Sequence, residues 1–428
     1  MADGEEPITI SDDEEWIKCI INAGATKANR SQTRKLRMQK VPQMLRANKD
    51  FQKYFAPRVV SIGPYHHGNP VLQHVQNLKP VIASKFVLNE PKRFQEFYEK
   101  ILRRIREVRG CYDEESTQGY TDKAFARMML LDGCFVLYFI RCVTRNLEHD
   151  LGMTSLHITF AQQDLLLLEN QLPFLVIQDL MDPFEMTMWK LWIHLYLKVN
   201  FKTGTAAHLL ELLRNRMVDY VDINKLTHFT GYTSRNIKEL MAVGIEFKPS
   251  ESNSLTDISF TSHQSYADLR LPKITVDSST KSNFFNLIAD EVSSDEPNEL
   301  WVTSYICFLS TLVANPDDVK ILQSAKVLDN RLGSDGEVAS LFHELAIDLV
   351  PNPYAYANVK KEIQNYYEET ISSSWFNKFC RYKKKTYLSQ LKEDHLKNPW
   401  RILALVGAIL ALIFTGAQAY FQIWSPPS

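Results

Sequence analysis

Much of what marks an enzyme or a nucleic-acid binder is missing from this 428-residue sequence. No G-x-x-x-x-G-K, G-x-G-x-x-G or G-x-S-x-G stretch occurs, which excludes the common phosphate-cradling loops and the nucleophile elbow. Lys and Arg total 49 against 50 Asp and Glu, so there is no whole-chain field for nucleic acid. Only six cysteines occur (Cys19, Cys111, Cys134, Cys142, Cys307, Cys380), widely scattered and without a C-x-x-C pair. That usage fits reduced thiols in the cytosol and supplies neither a disulfide framework nor a zinc site. The opening lacks the basic and apolar stretches of a secretory signal; Asp3, Glu5, Glu6, Asp12, Asp13, Glu14 and Glu15 make it acidic instead. No repeat of fixed period appears, which excludes a solenoid. His343-Glu344 begins like a zincin motif, but Ile347 occupies the second ligand position. His343 and Asp348 have the spacing of some acyltransferases, yet five residues of helix turn them onto different faces.

What is present reads as a folded, mainly helical protein, with 45% hydrophobic and 23% charged residues and enough length for a large core. Residues 1–39 run from acidic to basic with few apolar positions, the pattern of a mobile charged tail. A helical domain is expected over 40–377. FQEFYEKILRRIREV (94–108) sets Phe94, Phe97, Tyr98, Ile101, Leu102, Ile105 and Val108 at spacings of three and four, which predicts one amphipathic helix. LLDGCFVLYFI (130–140) predicts a buried core helix. DLLLLENQLPFLVIQDL predicts a second one, with Asp164 as its N-cap and Pro173 kinking or splitting it. Between 244 and 277, GIEFKP, DISF and LRLPKITV are short and turn-bounded, and they predict a small antiparallel β insertion of two or three strands.

One long hydrophobic run stands out. Ile402 to Trp424 carries no charge and as a helix would extend roughly 34 Å, enough for a hydrocarbon core of about 30 Å. Trp400 and Trp424 flank it as interfacial aromatics. A basic stem over 378–401, ending at Arg401, places the bulk of the chain in the cytosol by the positive-inside rule. The expected fold class is therefore mainly α: a helical globular domain with a small antiparallel β insertion and one C-terminal transmembrane helix. Membrane lipids are its expected partner there, as a tail-anchored, single-pass protein of the plasma membrane or endoplasmic reticulum.

Two local sequences invite a chemical reading. In Ser61-Ile62-Gly63-Pro64-Tyr65-His66-His67-Gly68 the glycines and proline mark turns, so both imidazoles lie on a loop. They serve either as hydrogen-bonded loop residues or as a ligand or pH-sensing pair. Glu169-Asn170-Gln171 could do acid–base work, or could satisfy backbone groups freed by a kink. Asp132 is read as a capping or buried hydrogen-bonding group. No catalytic, cofactor-binding or metal-ligating residue is assigned.

Taken in order, VPQMLR (41–46), PRVVSIGPYHHG (57–68), LLDGCFVLYFIR (130–141) and DLLLLENQLPFLVI (164–177) are followed by GIEFKPSESNSLTDISF, LRLPKITVDSST, NFFNLIADE, DDVKILQS, NRLGSDGEVASLFHEL and NPWRILALVGAIL. This series resembles the plant family catalogued as domain of unknown function 247, with Asp290 standing where the family usually has an aromatic. The resemblance implies a flowering-plant source, a single domain and a C-terminal membrane helix, and it carries no established activity or cofactor. Some grass members are associated with self-incompatibility, which implies recognition or signalling. The expected function is a non-enzymatic interaction component with a protein partner, such as a second copy or a family relative. A membrane-proximal enzyme acting on a lipid or small substrate is the alternative. Convergence of His66, His67, Asp132 and Glu169 on one open cleft would favour the enzyme; burial among backbone partners would favour the interaction component.

Overall fold

The computed structural model describes residues 38–46, 51–194, 206–219, 235–293 and 300–372, with Trp16, Ile17, Lys18, Ile20, Val221, Phe414 and Thr415. Its longer elements are α1 (Gln73–Phe86), α2 (Pro91–Arg103), α3 (Asp122–Thr144), α4 (Ser155–Asp164), α5 (Phe174–Leu180), α6 (Pro183–Trp192) and α7 (Leu209–Met217). Then follow α8 (Ile237–Ala242), β1 (Ile245–Pro249), β2 (Ser259–Ser262), β3 (Ala267–Leu271), β4 (Ile274–Val276) and α9 (Thr280–Ser293). The last are α10 (Trp301–Leu312), α11 (Pro316–Ser324), β5 (Leu328–Asn330), α12 (Asp335–Ala346) and α13 (Ala357–Ser372). The chain divides into two compact units, 1–220 with 277–303, and 221–276 with 304–428.

The first unit is organised by α3. Thr121 caps it, accepting the Ala124 N–H at 3.2 Å. Phe125, Met129, Cys134, Phe135 and Phe139 are buried around its circumference, as in a helix enclosed by others. Helices α1, α2, α5 and α6 pack against it. Gly133 allows the closest approach, since a Cβ there would lie 2.4 Å from Leu180 Cδ1 of α5. The stripe expected over 94–108 is buried at Phe97, Ile101, Ile105 and Val108, each worth roughly 1.5–3 kcal/mol in water removal. It is carried by two helices, because the chain turns at Arg104 into Ile105–Arg109. Asp164 is not an N-cap: it ends α4, and α5 starts only after Pro173. The 165–173 stretch between them is a buried connection held by side chains.

In the second unit the β insertion is mixed, which corrects the antiparallel expectation. The sheet order is β1-β3-β2, with β1 and β3 parallel and β2 antiparallel to β3. The 250–258 loop crosses two strand positions, about 10 Å, at one end of the sheet. Strand β2 then descends, and β3 must rise between the two, parallel to β1. Pro272 interrupts LRLPKITV, so β4 leaves this sheet and pairs in parallel with β5. Helix α8 packs on β1 through buried Ile237 and Leu240. Asn315, Pro316 and Asp318 start α11 with a reciprocal capping box.

The C-terminal transmembrane helix is also corrected. Among the described residues no helix is long and apolar enough to cross a membrane. The longest of them, α3, carries Asp122, Lys123, Arg127, Asp132 and Arg141, and its apolar surface is taken up by the helices of its own unit. Of 402–424 only Phe414 and Thr415 are described; Trp400, Arg401, Trp424 and the basic stem lie outside the described residues.

Candidate functional site

Residues 58–63 run through the first unit in neither helix nor strand, so their amides need side-chain acceptors. Asp164 accepts three in succession: Arg58 N–H at 3.0 and 3.1 Å, Val59 N–H at 2.8 Å and Val60 N–H at 3.0 Å. Asn170 Oδ1 accepts Ile62 N–H at 2.7 Å, and its amide donates to the Val60 and Asp164 carbonyls at 3.0 and 2.9 Å. Asp132 Oδ2 accepts Gly63 N–H at 2.8 Å. Its other oxygen takes the ammonium of Lys79, which also donates to Ser61 O. Lys79 and Asp132 side chains are 0% and 1% exposed, a fully buried ion pair. Gly63 has φ +72°, and a Cβ there would meet Tyr112 Oη at 2.9 Å, so only glycine fits this turn.

Gln171 acts in the same way on the neighbouring connection. Its amide donates to Leu165 O and Leu167 O at 2.8 and 2.7 Å, and its Oε1 accepts Leu210 N–H at 3.1 Å. These bonds tie the buried 165–173 connection together and seat the start of α7 on it. Burial pushes the Asp164 carboxyl up, against the pull of the three amides it accepts. Loss of one buried partner in such a network costs about 1–3 kcal/mol.

One side of the network opens to solvent. A cleft of about 500 Å³ is lined by Lys40, Gln43, Arg46, Tyr65, His66, Asn69 and Glu169, with Ala56. Glu169 Oε1 accepts Val41 N–H at 2.8 Å and the Arg46 guanidinium. Burial raises the Glu169 carboxyl, opposed by Val41 N–H and Arg46. His66 Nε2 lies 3.6 Å from Glu169 Oε2, too far for a hydrogen bond, and has no hydrogen-bond partner among the described residues. The contact is not an ion pair, because burial first and Arg46 second push the imidazole down to about 4 and leave it neutral. Tyr65 donates to Met38 O at 2.7 Å, and burial pushes its hydroxyl well up. Lys40 sits 3.5 Å from both Asp113 and Glu115, exposed pairs that contribute little stability.

The seven residues singled out in the sequence therefore separate. Tyr65, His66 and Glu169 meet in the cleft. Asp132, Asn170 and Gln171 lie behind it, bonded to backbone. His67 turns away: its Nδ1 is 3.3 Å from Gln76 Nε2 and its ring meets Tyr120 edge-on. His74, a few residues further on, lies against His157, ring centroids 5.3 Å apart. Sequence reasoning missed Lys40, Arg46 and Lys79. For Lys79 a signal existed: Val75, Lys79, Ile82 and Phe86 share the buried stripe of α1, and a lysine there needs a buried counter-charge. Among the described residues no group of three His, Cys, Asp or Glu could hold a metal ion.

The sequence profile of the plant family DUF247, described as a plant protein of unknown function, matches residues 38–414. The UPF0481 protein At3g47200 of Arabidopsis thaliana is 27% identical over 421 residues, covering 87% of this chain and 83% of that protein. A second UPF0481 protein of the same plant, At3g02645, is 24% identical over 212 residues, covering 50% of this chain and 37% of its own length. No solved structure matches the chain.

Proposed function

The chain belongs to the DUF247 family of plant proteins, and within it we propose a non-enzymatic role: recognition of a protein partner through the histidine-loop cleft. One observation carries this reading. Asp132, Asp164 and Asn170 are each engaged by amides of 58–63 and so brace the loop that leads to Tyr65 and His66. A braced loop presents side chains at low entropic cost, which favours binding. The cleft offers mainly donors, from Lys40, Arg46, Gln43 and Asn69, around the single carboxylate of Glu169. That set suits an acidic or carbonyl-rich loop of a partner, a second copy or family relative included.

The test is proximity labelling in plant tissue with the full chain and its Lys40→Glu/Arg46→Glu variant. A specific neighbour labelled by the first and lost with the second supports recognition. Identical labelling by both, or no specific neighbour at all, overturns it. A second reading as an enzyme draws on the neutral His66 imidazole facing the buried Glu169 carboxyl at 3.6 Å, an acid–base arrangement. Turnover of a small substrate or lipid, abolished by Glu169→Gln and His66→Gln in folded protein, would establish that reading in place of the first.

A further inference from the structure

The second unit has its own open groove. Strand β2 lies at the edge of its sheet, paired only with β3 among the described residues. His263 N–H donates to Tyr266 O at 2.8 Å, which marks the first hydrogen-bonded pair of the β2–β3 hairpin. Antiparallel pairing alternates, so Thr261 and Ser259 bond inward to β3, while Phe260 and Ser262 turn their N–H and C=O groups outward. Helix α13 packs against β2, and the two line a cleft of about 750 Å³ with Phe260, Thr261, Ser262, Glu362, Asn365 and Glu369, among others. The Phe260 and Tyr366 rings meet edge-on, 5.7 Å between centroids, and close its floor.

The charge of this groove has one sign. Glu362 and Glu369 are exposed, seven residues apart on one face of α13, and among the described residues no ion pair engages either carboxylate. At the helix rise they stand about 10 Å apart along the groove. Same-face side chains of an extended peptide are about 7 Å apart, so long basic side chains at alternate positions reach both. Short polar edges such as β2 also serve to discourage pairing with other chains. Here, however, the edge borders an open cleft whose helical wall carries two glutamates.

We propose that this groove binds an extended, basic segment of a partner protein, added as a fourth strand along β2 with Lys or Arg side chains directed to Glu362 and Glu369. The backbone groups of Phe260 and Ser262 supply its main-chain hydrogen bonds, and the two glutamates select the charge. It rests on the reading of the chain as an interaction protein, but on a surface of a different unit.

The experiment uses the full chain and fluorescent nine-residue peptides followed by anisotropy. The probes alternate Lys with Val or Thr, carry Glu in place of Lys, or carry Pro at every second position. The Lys peptide is expected to bind, the Glu peptide not, and the Pro peptide at least tenfold more weakly because it lacks the N–H groups for the edge. Glu362→Gln/Glu369→Gln, both exposed changes, should weaken the Lys peptide at least tenfold. Ser262→Pro, which removes an outward N–H and no ladder bond, should weaken it as well. Lys40→Glu/Arg46→Glu should leave it unchanged, which separates this groove from the histidine-loop cleft. Absence of binding by the Lys peptide, equal binding of Lys and Pro peptides, or binding unaffected by the Gln pair would each overturn the proposal.

Discussion

Asp132→Ala strands a charge. Lys79 has no exposed side-chain surface, and Asp132 is its counter-ion. The same substitution leaves Gly63 N–H without its acceptor. Breaking a buried ion pair from one side costs about 3–5 kcal/mol, because the remaining charge keeps its desolvation penalty. In a domain of 150–250 residues each kcal/mol moves the midpoint by about 2–4 °C. The melting midpoint of Asp132→Ala should therefore fall by roughly 10 °C, read by near-ultraviolet circular dichroism. Lys79→Met should fall comparably. The double variant Lys79→Met/Asp132→Ala leaves no buried charge, though Gly63 N–H still lacks its acceptor, and should lose clearly less than the sum of the two singles. The cycle should then give a coupling of about 2 kcal/mol or more. A midpoint for Asp132→Ala within 2 °C of the wild type, or a double variant whose loss is the simple sum of the singles, would refute the buried-pair reasoning.

Two further outcomes follow from the same geometry. Gly133→Ala should destabilise by about 1–3 kcal/mol in urea unfolding despite alanine's better helix propensity, since its Cβ would lie 2.4 Å from Leu180 Cδ1; a neutral or stabilising result would mean α5 moves aside freely. His66 stays neutral in the fold down to about 4, while an unfolded imidazole takes a proton near 6.5, so acid favours the unfolded chain. Its contribution is complete above about pH 6.5 and is lost as pH falls toward 4, about 2 kcal/mol of it by pH 5. His66→Gln should lose correspondingly less stability between pH 7 and pH 5, and a wild-type-like acid slope in that variant would contradict the assignment.

The elements legible in the sequence were those set by local periodicity. The all-round apolar 130–140 run is the core of α3, the 94–108 stripe faces inward, and α5 begins directly after Pro173, although the helix expected before it over 165–172 is an irregular connection. Pairings made by distant residues were not legible. Asp164 reads as an N-cap because it precedes an apolar run, but its carboxylate accepts from Arg58, Val59 and Val60, more than 100 positions earlier. The parallel run of β1 with β3 depends on where the 250–258 loop crosses, which strand patterning does not encode. At the candidate site the motif residues were all visible as unusual, but their division into cleft and brace was not. Glu169, Asn170 and Gln171 are consecutive, and only the irregular turn after α4 aims the first at the cleft wall and the other two at backbone groups behind it.

If Asp164, Asn170 and Asp132 brace the histidine loop, the amides of Val60, Ile62 and Gly63 must be protected although their acceptors are side chains. Native-state hydrogen exchange resolved to single residues measures this directly. The predicted result is exchange of these three amides as slow as that of Phe135 and Phe139 in α3, with protection at Ile62 lost in Asn170→Ala. Exchange at the rate of exposed turns in the wild-type protein would contradict the brace, and with it the assignment of these residues to architecture.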